Sequence, residues 1–559
     1  MKHPSKWLGP LILLASALTL SSQPASKTSI HVRADHATGP FNPVWNFFGY
    51  DEPNYTYAPN GQKLLGEISR MSATPAYIRV HNIFTSGDGS SSLKWGSTNV
   101  YTEDAAGNPV YDWKIVDRIF DAFHQARVRP LVELGFMPEA LSTHPEPYRH
   151  TFPDGPISTG WAYPPKDYKK WADLVSHFAK HLRERYGDAD VNTWLWEVWN
   201  EPDIDYWRGT PEEFFKLYDY SADALLRAIP GAKIGGPDAT GPSERAAKFL
   251  DAFLQHCDSG SNFATDKPGA PLAFISFHPK GSPTWRGNHV QMGIAAQLKV
   301  IERGFKLVAA SSKWRNTPII LGEWDPEGCA ACSAAKNPQN GYRNGPLYAA
   351  YTAEAFSHTL ALAEREHVNV EGIVTWAFEF EDQPLFAGFR ELASGGLDKP
   401  VLNTFRMFGM LGSERIDASS SAALDTAQVV NDGVRAQPDI RAIATRSAHG
   451  IQILVWNYHD DDLAAAPASI DLTISGLSPR AKHALLEHFR IDASHSNAFF
   501  AWKAMGSPQP PTVDQYKQLE AAGQLQLLDS PKRIGIAHGT AHLQFELPRQ
   551  GLSLLRIGW

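Results

Sequence analysis

Positive charge and long apolar runs are both scarce in this 559-residue chain, and each scarcity excludes a class of function. The 52 lysines and arginines are outnumbered by 60 aspartates and glutamates, which gives a formal net charge of −8. This balance is not typical of a protein that binds nucleic acid or an anionic membrane surface. Beyond the N-terminus, no apolar run approaches a transmembrane span. We therefore expect no nucleic acid and no membrane among its partners, whereas a homo-oligomer is compatible with the composition.

Cysteine is also rare, with three residues in the whole chain. Cys329 and Cys332 have the C-x-x-C spacing, and in an oxidising compartment they could close a small disulfide. A zinc site would need further ligands close by, and a thioredoxin-like role would need a fold context that is absent. Cys257, in "FLQHCDS", is predicted to be a buried thiol.

The first 25 residues have the composition of an export signal. Basic residues, among them Lys2 and Lys6, precede the apolar run "WLGPLILLASALTL", and the small and polar "SSQPAS" follows it. The run is too short to span a bilayer comfortably. We predict a signal peptide over residues 1–25, with cleavage between 22 and 27, and a mature protein that is secreted or periplasmic.

Strand and helix patterns then alternate eight times, which indicates an α/β fold of the (β/α)8 or TIM-barrel type over residues 26–410. An open doubly wound sheet is the alternative, but the Gly-rich phosphate-binding turn expected after its first strand is missing. The eight predicted strands lie in "WNFFGYDE", "AYIRVHNIF", "RPLVELGFMP", "TWLWEVWNEP", "AKIGGPDA", "AFISFHPKG", "PIILGEWDPE" and "GIVTWAFEF".

From 411 to 559 the pattern changes to short alternating strands separated by turn signals. Examples are "IRAIATRSAHGIQILVWNYHD" and "TAHLQFELPRQGLSLLRIGW". This pattern predicts a C-terminal all-β sandwich domain. A strand predicted over 26–40 either precedes the barrel or joins the sandwich.

In a (β/α)8 barrel the active site lies at the C-terminal ends of the strands, so the polar residues there are the informative ones. Carboxylates, amides and histidines recur among them, with no Ser–His or Cys–His set and no metal-ligand spacing. We therefore expect no metal and no cofactor. In chain order these residues are Asp51 and Glu52, His81 and Asn82, Glu133, Asn200 and Glu201, Asp238, His278 and Lys280, Glu323 and Asp325, and Trp376 and Glu379.

Two of these carboxylates directly follow strongly apolar strands. Glu201 ends strand 4 in Asn200-Glu201-Pro202, and Glu323 ends strand 7 in "IILGEWD". Glycoside hydrolysis requires such a pair on rigid supports, one protonated to assist the leaving oxygen and one ionised to attack the anomeric carbon. A single glutamate at a strand end is more often part of a surface salt bridge. Two glutamates on opposing sides of one barrel mouth favour catalysis.

The stretch "WEVWNEPD" resembles the acid/base motif of the clan of retaining glycosidases that carry both catalytic glutamates on strands 4 and 7. Further stretches extend the resemblance over most of the chain and make it specific to glycoside hydrolase family 39, which contains β-xylosidases and α-L-iduronidases. They are "LVELGFMPEAL", "WEVWNEPDIDYWRGTPEEFFKLYDYSADAL", "KIGGPDATG", "ISFHPKGSP", "PIILGEWDP", "YRNGPLYAAY" and "HSNAFFAWKAMGSPQPPT".

The resemblance implies a role for each matching residue. Glu201 would be the general acid and then the general base, and Glu323 would be the nucleophile that forms a covalent glycosyl-enzyme. Asn200 would hydrogen-bond the 2-hydroxyl of the sugar, with a loop-capping amide as the plainer alternative. The implied outcome is retention of configuration, for which the two carboxyl groups should lie about 5–5.5 Å apart.

Four other residues are weaker candidates for binding the substrate. His81 and His278 could bind ring hydroxyls, although a histidine at such a position is also often a satisfied core residue. Phe136 and Trp376 could form an apolar floor under the sugar, and core packing is an almost equal alternative.

Two basic residues of the barrel bear on substrate and stability. Lys280, in "HPKG" at the mouth of strand 6, resembles a lysine that pairs with the uronate carboxylate in the iduronidase branch of the family. It could equally bind hydroxyls of a neutral sugar, or pair with Glu379 or Asp382. Arg79 could pair with a buried Glu133.

These observations predict an exo-acting retaining glycoside hydrolase, most simply a β-xylosidase that releases xylose from the non-reducing ends of xylo-oligosaccharides by double displacement. Its partner is thus an oligosaccharide or glycoside substrate. Within the family, the alternatives are α-L-iduronidase-like and α-L-arabinosidase activities. Outside these, an endo-acting polysaccharide hydrolase would need an open groove. A non-catalytic carbohydrate-binding protein would be signalled by the loss of either glutamate.

Overall fold

The computed structural model describes residues 27–150, 157–241 and 243–559, so the predicted signal peptide lies outside the described residues. Its central element is a closed barrel of eight parallel strands in chain order, which confirms the predicted barrel. The barrel strands, numbered 1 to 8, are Phe47–Tyr50, Tyr77–Val80, Arg129–Leu134, Leu195–Val198, Lys233–Thr240, Ile275–His278, Ile319–Leu321 and Val370–Trp376.

The barrel strands are buried along almost their whole length, which explains their nearly continuous apolar sequences. Strand 8 pairs with strand 1 through Val374 and Phe47, and this pairing closes the barrel. Most of the observed strands end earlier than the apolar stretches from which they were predicted. After strand 4, for example, Trp199 and Glu201 adopt left-handed backbone conformations, with φ of 73° and 45°. The chain therefore turns out of the barrel wall at the position where the polar residues begin.

A helix follows every barrel strand and packs around the outside of the barrel. Side-chain caps begin several of these helices; Thr210 and Glu213, for example, form a reciprocal capping box. None of the helices in the described parts of the chain is both long and apolar enough to cross a membrane. The eight helices are Pro59–Ser69, Lys114–Ala126, Tyr168–Tyr186, Pro211–Ala228, Glu244–Ser259, Ile294–Ala310, Pro346–Glu366 and Pro400–Gly409.

The C-terminal part is all-β, as predicted, and its strands form one continuous curled sheet around an apolar core of its own. Three short helices, Thr426–Asp432, Ala498–Ala504 and Val513–Gly523, lie between its strands. The ten strands of the sheet are Lys27–Pro40, Glu414–Ser420, Asp439–Ser447, Gly450–Tyr458, Ala468–Ser475, His483–Ile491, Gln526–Leu527, Lys532–Gly535, Ala541–Leu547 and Leu552–Gly558.

The strand Lys27–Pro40 lies in the interior of this sheet, although it precedes the barrel in the chain. It pairs antiparallel with Glu414–Ser420 on one side and parallel with Ala468–Ser475 on the other. Ile30 and Val32 of this strand are fully buried in the core of the sheet. The sheet therefore combines a strand that precedes the barrel in the chain with strands that follow it.

A buried polar cluster joins the barrel to the sheet. The Trp456 indole N–H of the sheet donates to Glu354 on the helix Pro346–Glu366 at 2.6 Å. On the same helix, His358 Nε2 lies 3.1 Å from a Glu354 oxygen and 3.4 Å from Asp439 of the sheet. All four side chains are buried. Because unpaired groups at such a position are costly, the cluster fixes how the helix sits on the sheet.

Candidate active site

Glu201 is positioned by a backbone turn at the end of strand 4. The Trp199 N–H donates to the Leu134 carbonyl of strand 3 at 3.2 Å, and the Glu201 N–H donates to the Asp238 carbonyl of strand 5 at 2.9 Å. Left-handed backbone at two non-glycine residues is unfavourable and persists where neighbours hold it in place. Pro202 has no N–H to continue the ladder. The backbone that carries Glu201 is thus fixed to both neighbouring strands.

Glu323 is positioned directly after strand 7. The backbone N–H groups of Gly322 and Trp324, on either side of it, donate to carbonyls of strands 6 and 8 at 3.1 and 2.8 Å. Any side chain at Gly322 would collide with Asp238 and His278. The glycine is therefore required where the strand end passes against these two side chains, and Glu323 is held between strands 6 and 8.

The two glutamates face each other across the barrel mouth, with His278 between them. His278 Nδ1 lies 3.0 Å from Glu201 Oε1 and 3.6 Å from Glu323 Oε1. One carboxylate oxygen of each glutamate lies within 4.8 Å of the other. The side chains retain 14% and 8% exposure, so both are largely withdrawn from water but reachable from the pocket.

Cations surround Glu323. Lys280 Nζ lies 2.5 Å from its Oε2 atom, and Arg79 Nη1 and His81 Nε2 each lie 3.5 Å from its Oε1 atom. Burial would raise the pKa of this carboxyl, but the positive charges of Lys280, His278 and His81 hold the pKa of Glu323 well below its usual value. Glu323 is therefore ionised at neutral pH, as an attacking carboxylate must be.

Both histidines of the site are imidazolium ions at neutral pH. Burial alone would lower the pKa of His278, but Asp238 and Glu323 raise it to about 10. The same balance at His81, with Glu133 as its strongest carboxylate neighbour, raises its pKa to about 9. Atoms of Glu201, His278 and Glu323 lie close enough together to surround a cation. A protonated imidazole is a donor, however, and a poor metal ligand.

Arg79, inside the barrel, links the polar groups beneath the pocket. Its guanidinium lies 2.9 Å from Glu133, the pair that the sequence predicted, and also contacts Glu197 and Asp238. It donates to Asn200 Oδ1 at 3.1 Å, which directs the amide nitrogen of Asn200 away from the barrel interior. Because all of these groups are buried, leaving one without its partner would cost about 3–5 kcal/mol. The network therefore holds the wall behind the two glutamates rigid.

A cavity of about 480 Å³ opens above this network. Five of the eight predicted site residues line it, so side chains from strands 4, 6, 7 and 8 meet in one pocket. The innermost wall also includes Asp51, which accepts from the Trp376 indole N–H at 3.3 Å. The five residues are Asn200, Glu201, Lys280, Glu323 and Trp376.

The other three predicted residues, His81, His278 and Phe136, lie behind the wall of the cavity. His81 packs against Trp376, with ring centroids 4.3 Å apart, and bonds Asp51 at 3.0 Å. Phe136 stacks on Tyr206 with an interplanar angle of 4°. The two histidines contact the glutamates directly, whereas Phe136 supports a ring that lines the cavity.

Lys280 is paired on both sides. Its Nζ atom lies 2.5 Å from Glu323 and 2.6 Å from Asp325. The alternative pairing with Glu379 or Asp382 is therefore wrong. Glu379 turns away from the cavity and accepts a backbone N–H from a loop that follows strand 8. Lys280 and Asp325 instead lie on adjacent strand ends, which brings them together.

Sequence reasoning missed several side chains that line the cavity from loops, among them Tyr206, His150 and Lys94. The Tyr206 hydroxyl lies 2.8 Å from His150 Nε2, and Lys94 Nζ lies 3.4 Å from Asp51. Tyr206 is five residues after Glu201, and this closeness in sequence could have indicated that it lies near the site. No local pattern marks His150 or Lys94, because the loops after strands 2 and 3 bring them to the cavity.

The C-x-x-C pair lies in the loop after strand 7 and forms a disulfide that lines the cavity. Arg343, fully buried, donates to the carbonyl groups of both Cys329 and Cys332. Cys257 is a buried free thiol, as predicted. The disulfide is thus part of the wall of the cavity, and the third cysteine is not.

Comparison with known proteins places the chain among glycosidases. The family model described as Glycosyl hydrolases family 39 matches residues 28–531. A β-xylosidase of Geobacillus stearothermophilus is 27% identical over 501 residues, which cover 86% of each chain. The α-L-iduronidase of Homo sapiens is 28% identical over 380 residues, which cover 63% of this chain and 55% of that protein.

Solved structures agree with the fold. A bacterial orthologue of human α-L-iduronidase has a TM-score of 0.76 at 20% identity, covering 96% of this chain and 84% of that one. A monomeric β-xylosidase from Caulobacter crescentus has a TM-score of 0.74 at 21% identity, covering 95% and 99%. The resemblance seen in the sequence motifs is confirmed. The chain belongs to family 39 of the glycosyl hydrolases and is an enzyme that hydrolyses O-glycosyl bonds.

Proposed function

We propose that the protein is an exo-acting β-xylosidase that retains anomeric configuration. The observation that carries the retaining mechanism is that one oxygen of Glu201 and one of Glu323 lie within 4.8 Å of each other. Retaining glycosidases hold their carboxyl groups about 5–5.5 Å apart, whereas inverting enzymes need about 6.5–9.5 Å to admit a water molecule. The spacing leaves room for direct attack by a carboxylate and not for a water between the two.

In the first step, ionised Glu323 attacks the anomeric carbon as the bond to the leaving oxygen breaks. Glu201 donates its proton to that oxygen, and a glycosyl ester of Glu323 forms. His278 donates to one oxygen of Glu201, so the other oxygen is the one that can face the glycosidic oxygen. Asn200 is placed to hydrogen-bond the 2-hydroxyl with its amide nitrogen, because its Oδ1 atom already accepts from Arg79.

In the second step, water replaces the leaving group. Glu201, now ionised, takes a proton from the water. The oxygen of that water attacks the anomeric carbon, and the ester bond to Glu323 breaks. Two inversions give net retention, and both carboxyl groups return to their starting protonation states. The cations around Glu323 stabilise it as a leaving carboxylate in this step.

A neutral sugar fits the charge balance of the cavity. Lys280 is the cation nearest to Glu323, and it is already matched by Glu323 and Asp325. A uronate would bring another carboxylate beside these two. The similarity to the β-xylosidase of Geobacillus stearothermophilus, at 27% identity, supports the same choice.

An α-L-iduronidase-like activity is the second candidate, favoured by one observation. Lys280 lines the cavity with 18% of its side chain exposed, in the "HPKG" stretch. The buried guanidinium of Arg390 lies 3.3 Å from Asp325 and adds a second cation nearby. If Asp325 were satisfied by Arg390 alone, Lys280 would be available to a uronate carboxylate.

A panel of aryl glycosides separates these candidates. The wild-type enzyme should have its highest kcat/KM on the β-xyloside, at least about tenfold above the α-L-iduronide. The reason is that the carboxylate of the iduronide would be withdrawn from water beside the carboxylates of Glu323 and Asp325, which is unfavourable. The α-L-arabinoside and β-glucoside complete the panel, and initial rates of aryl release are the measurement. Faster cleavage of the iduronide or the arabinoside would contradict the β-xylosidase assignment.

The Lys280→Met variant is the control for this panel. Removing the cation should raise the pKa of Glu323, so the acid limb of kcat/KM for the β-xyloside should move to higher pH. The ratio of xyloside to iduronide hydrolysis should stay close to that of the wild type. A selective loss of iduronide hydrolysis would instead show that Lys280 binds a uronate carboxylate.

We also propose that the protein is exported. The composition of residues 1–25 supports this proposal, and so does the Cys329–Cys332 disulfide, since such bonds persist in oxidising compartments. Mass spectrometry of the periplasmic or extracellular protein should find an N-terminus between residues 22 and 27. Full-length protein confined to the cytoplasm would contradict the proposal.

A further inference from the structure

The cavity has a buried inner end and an exposed outer end. Asp51 and Trp376 of the inner wall are almost fully buried. At the outer end, Gly328 is exposed, and Cys329 and Gln339 are half-buried; all three belong to the loop after strand 7. An exo-acting enzyme holds the terminal sugar at the closed end of its pocket. The leaving group must therefore occupy the outer end, against this loop.

The loop is held rigidly in place. Arg343 donates to the carbonyl groups of Cys329 at 2.7 Å and of Cys332 at 2.9 Å, and to the Glu327 carboxylate at 2.6 Å. The Asn340 amide donates to the Cys332 carbonyl at 2.9 Å. A loop whose backbone is fixed in this way loses less conformational freedom on binding, which favours a preformed binding site.

A hairpin beside this loop presents an exposed tryptophan. The strands Thr284–Trp285 and Val290–Gln291 pack against the 3-10 helix Pro338–Asn344 of the loop after strand 7. The Gln291 amide donates at 2.8 Å to Asp461, in the loop after the strand Gly450–Tyr458, which anchors the hairpin. Trp285 is 45% exposed and is one of two tryptophans among the large apolar side chains that the described residues leave exposed.

The hairpin continues directly from the catalytic pocket. Trp285 follows Lys280 by five residues, so the two Cα atoms are at most about 18 Å apart. The Gly281 N–H donates to the Asp325 carbonyl at 2.9 Å, so the loops after strands 6 and 7 leave the pocket side by side. Trp285 is thus close enough to the pocket to be reached by a short oligosaccharide that extends from it.

We propose that the loop after strand 7 and Trp285 form a binding site for the leaving-group side of a β-linked oligosaccharide. The amide of Gln339, beside the Cys329–Cys332 disulfide, binds hydroxyls of the first sugar beyond the cleaved bond. Trp285 stacks on the apolar face of a sugar farther out, as aromatic side chains do in carbohydrate sites. This inference rests on the proposed β-xylosidase function and adds the length of substrate that the enzyme prefers.

The test compares substrates that differ in the length of the leaving group. They are β-xylosyl fluoride, which has no leaving-group sugar, xylobiose and xylotetraose. Gln339→Ala should lower kcat/KM for xylobiose and xylotetraose by about threefold to tenfold, the effect of one neutral hydrogen bond. Trp285→Ala should lower kcat/KM for xylotetraose by about tenfold, as an exposed aromatic contact does, and leave xylobiose little changed. Neither variant should alter hydrolysis of the fluoride.

Two further variants complete the experiment. Trp559→Ala removes the other exposed tryptophan, at the C-terminus, and should change none of the three rates. Trp285→Phe keeps an apolar ring and should recover most of the xylotetraose activity. Equal losses on the fluoride and on xylotetraose, or no loss on either, would overturn the proposed binding site. If the wild type cleaves no xyloside at all, the proposed function itself is wrong.

Discussion

Replacing Glu323 with alanine should lower kcat for an aryl β-xyloside by about 10⁴-fold or more, as loss of a nucleophile does in other covalent mechanisms. The reason is structural, because Glu323 is an ionised carboxylate at the end of strand 7 that lines the pocket opposite Glu201 and beside Lys280. Without it no glycosyl ester can form. Steady-state release of the aryl group, with the melting temperature as a check of folding, is the measurement.

Adding azide to the Glu323→Ala variant tests whether the lost group was the nucleophile. The shortened side chain leaves space beside the anomeric carbon, and azide entering there should restore turnover and give the xylosyl azide of inverted configuration. The matched control is Glu379→Gln, a change at a buried glutamate at the end of strand 8 that faces away from the cavity. It should leave kcat close to that of the wild type. Unchanged activity in Glu323→Ala would remove Glu323 from the role of nucleophile.

Replacing Glu201 with alanine should have an effect that depends on the leaving group. For xylobiose, whose leaving alkoxide needs a proton, kcat/KM should fall by about 10²- to 10⁴-fold, the usual contribution of a general acid. For dinitrophenyl β-xyloside the loss should be roughly tenfold or less, because this leaving group departs without protonation. A series of aryl xylosides of graded leaving-group pKa is the measurement.

The azide product again distinguishes the two glutamates. In Glu201→Ala the glycosyl ester of Glu323 still forms, so azide should attack that ester and give the xylosyl azide of retained configuration. Glu201→Gln keeps the contact with His278 and tests whether the shape of the side chain matters. Equal losses for activated and poor leaving groups would argue against Glu201 as the general acid.

The sequence predicted the parts of the site that lie on regular strands. Strands of a closed parallel barrel all end at one mouth, so Glu201 and Glu323 had to meet there once eight strands were recognised. Asn200, Lys280 and Trp376 reached the cavity for the same reason. The apolar runs of the strands, read with the position of Pro202, were sufficient to predict these side chains.

The residues that escaped prediction depend on contacts between distant loops. Tyr206 meets His150 across two loops, and Arg343 holds a loop by its carbonyl groups, which no sequence pattern encodes. One alternative for Lys280, pairing with Glu379 or Asp382, was wrong because Asp325 on the next strand end lies 2.6 Å from its Nζ atom. Which side chains pair with each other depends on distances of a few ångströms in the folded barrel, and the residue types alone do not determine it.

The position of the strand Lys27–Pro40 has a consequence for synthesis. This segment leaves the ribosome before the barrel, yet both of its neighbours in the sheet, Glu414–Ser420 and Ala468–Ser475, are translated after the barrel. At about 5–20 residues per second, its two edges stay unpaired for roughly 20 s or more. Exposed strand edges are templates for aggregation. The nascent chain therefore carries a strand with two unpaired edges until the segments that pair with it have been translated.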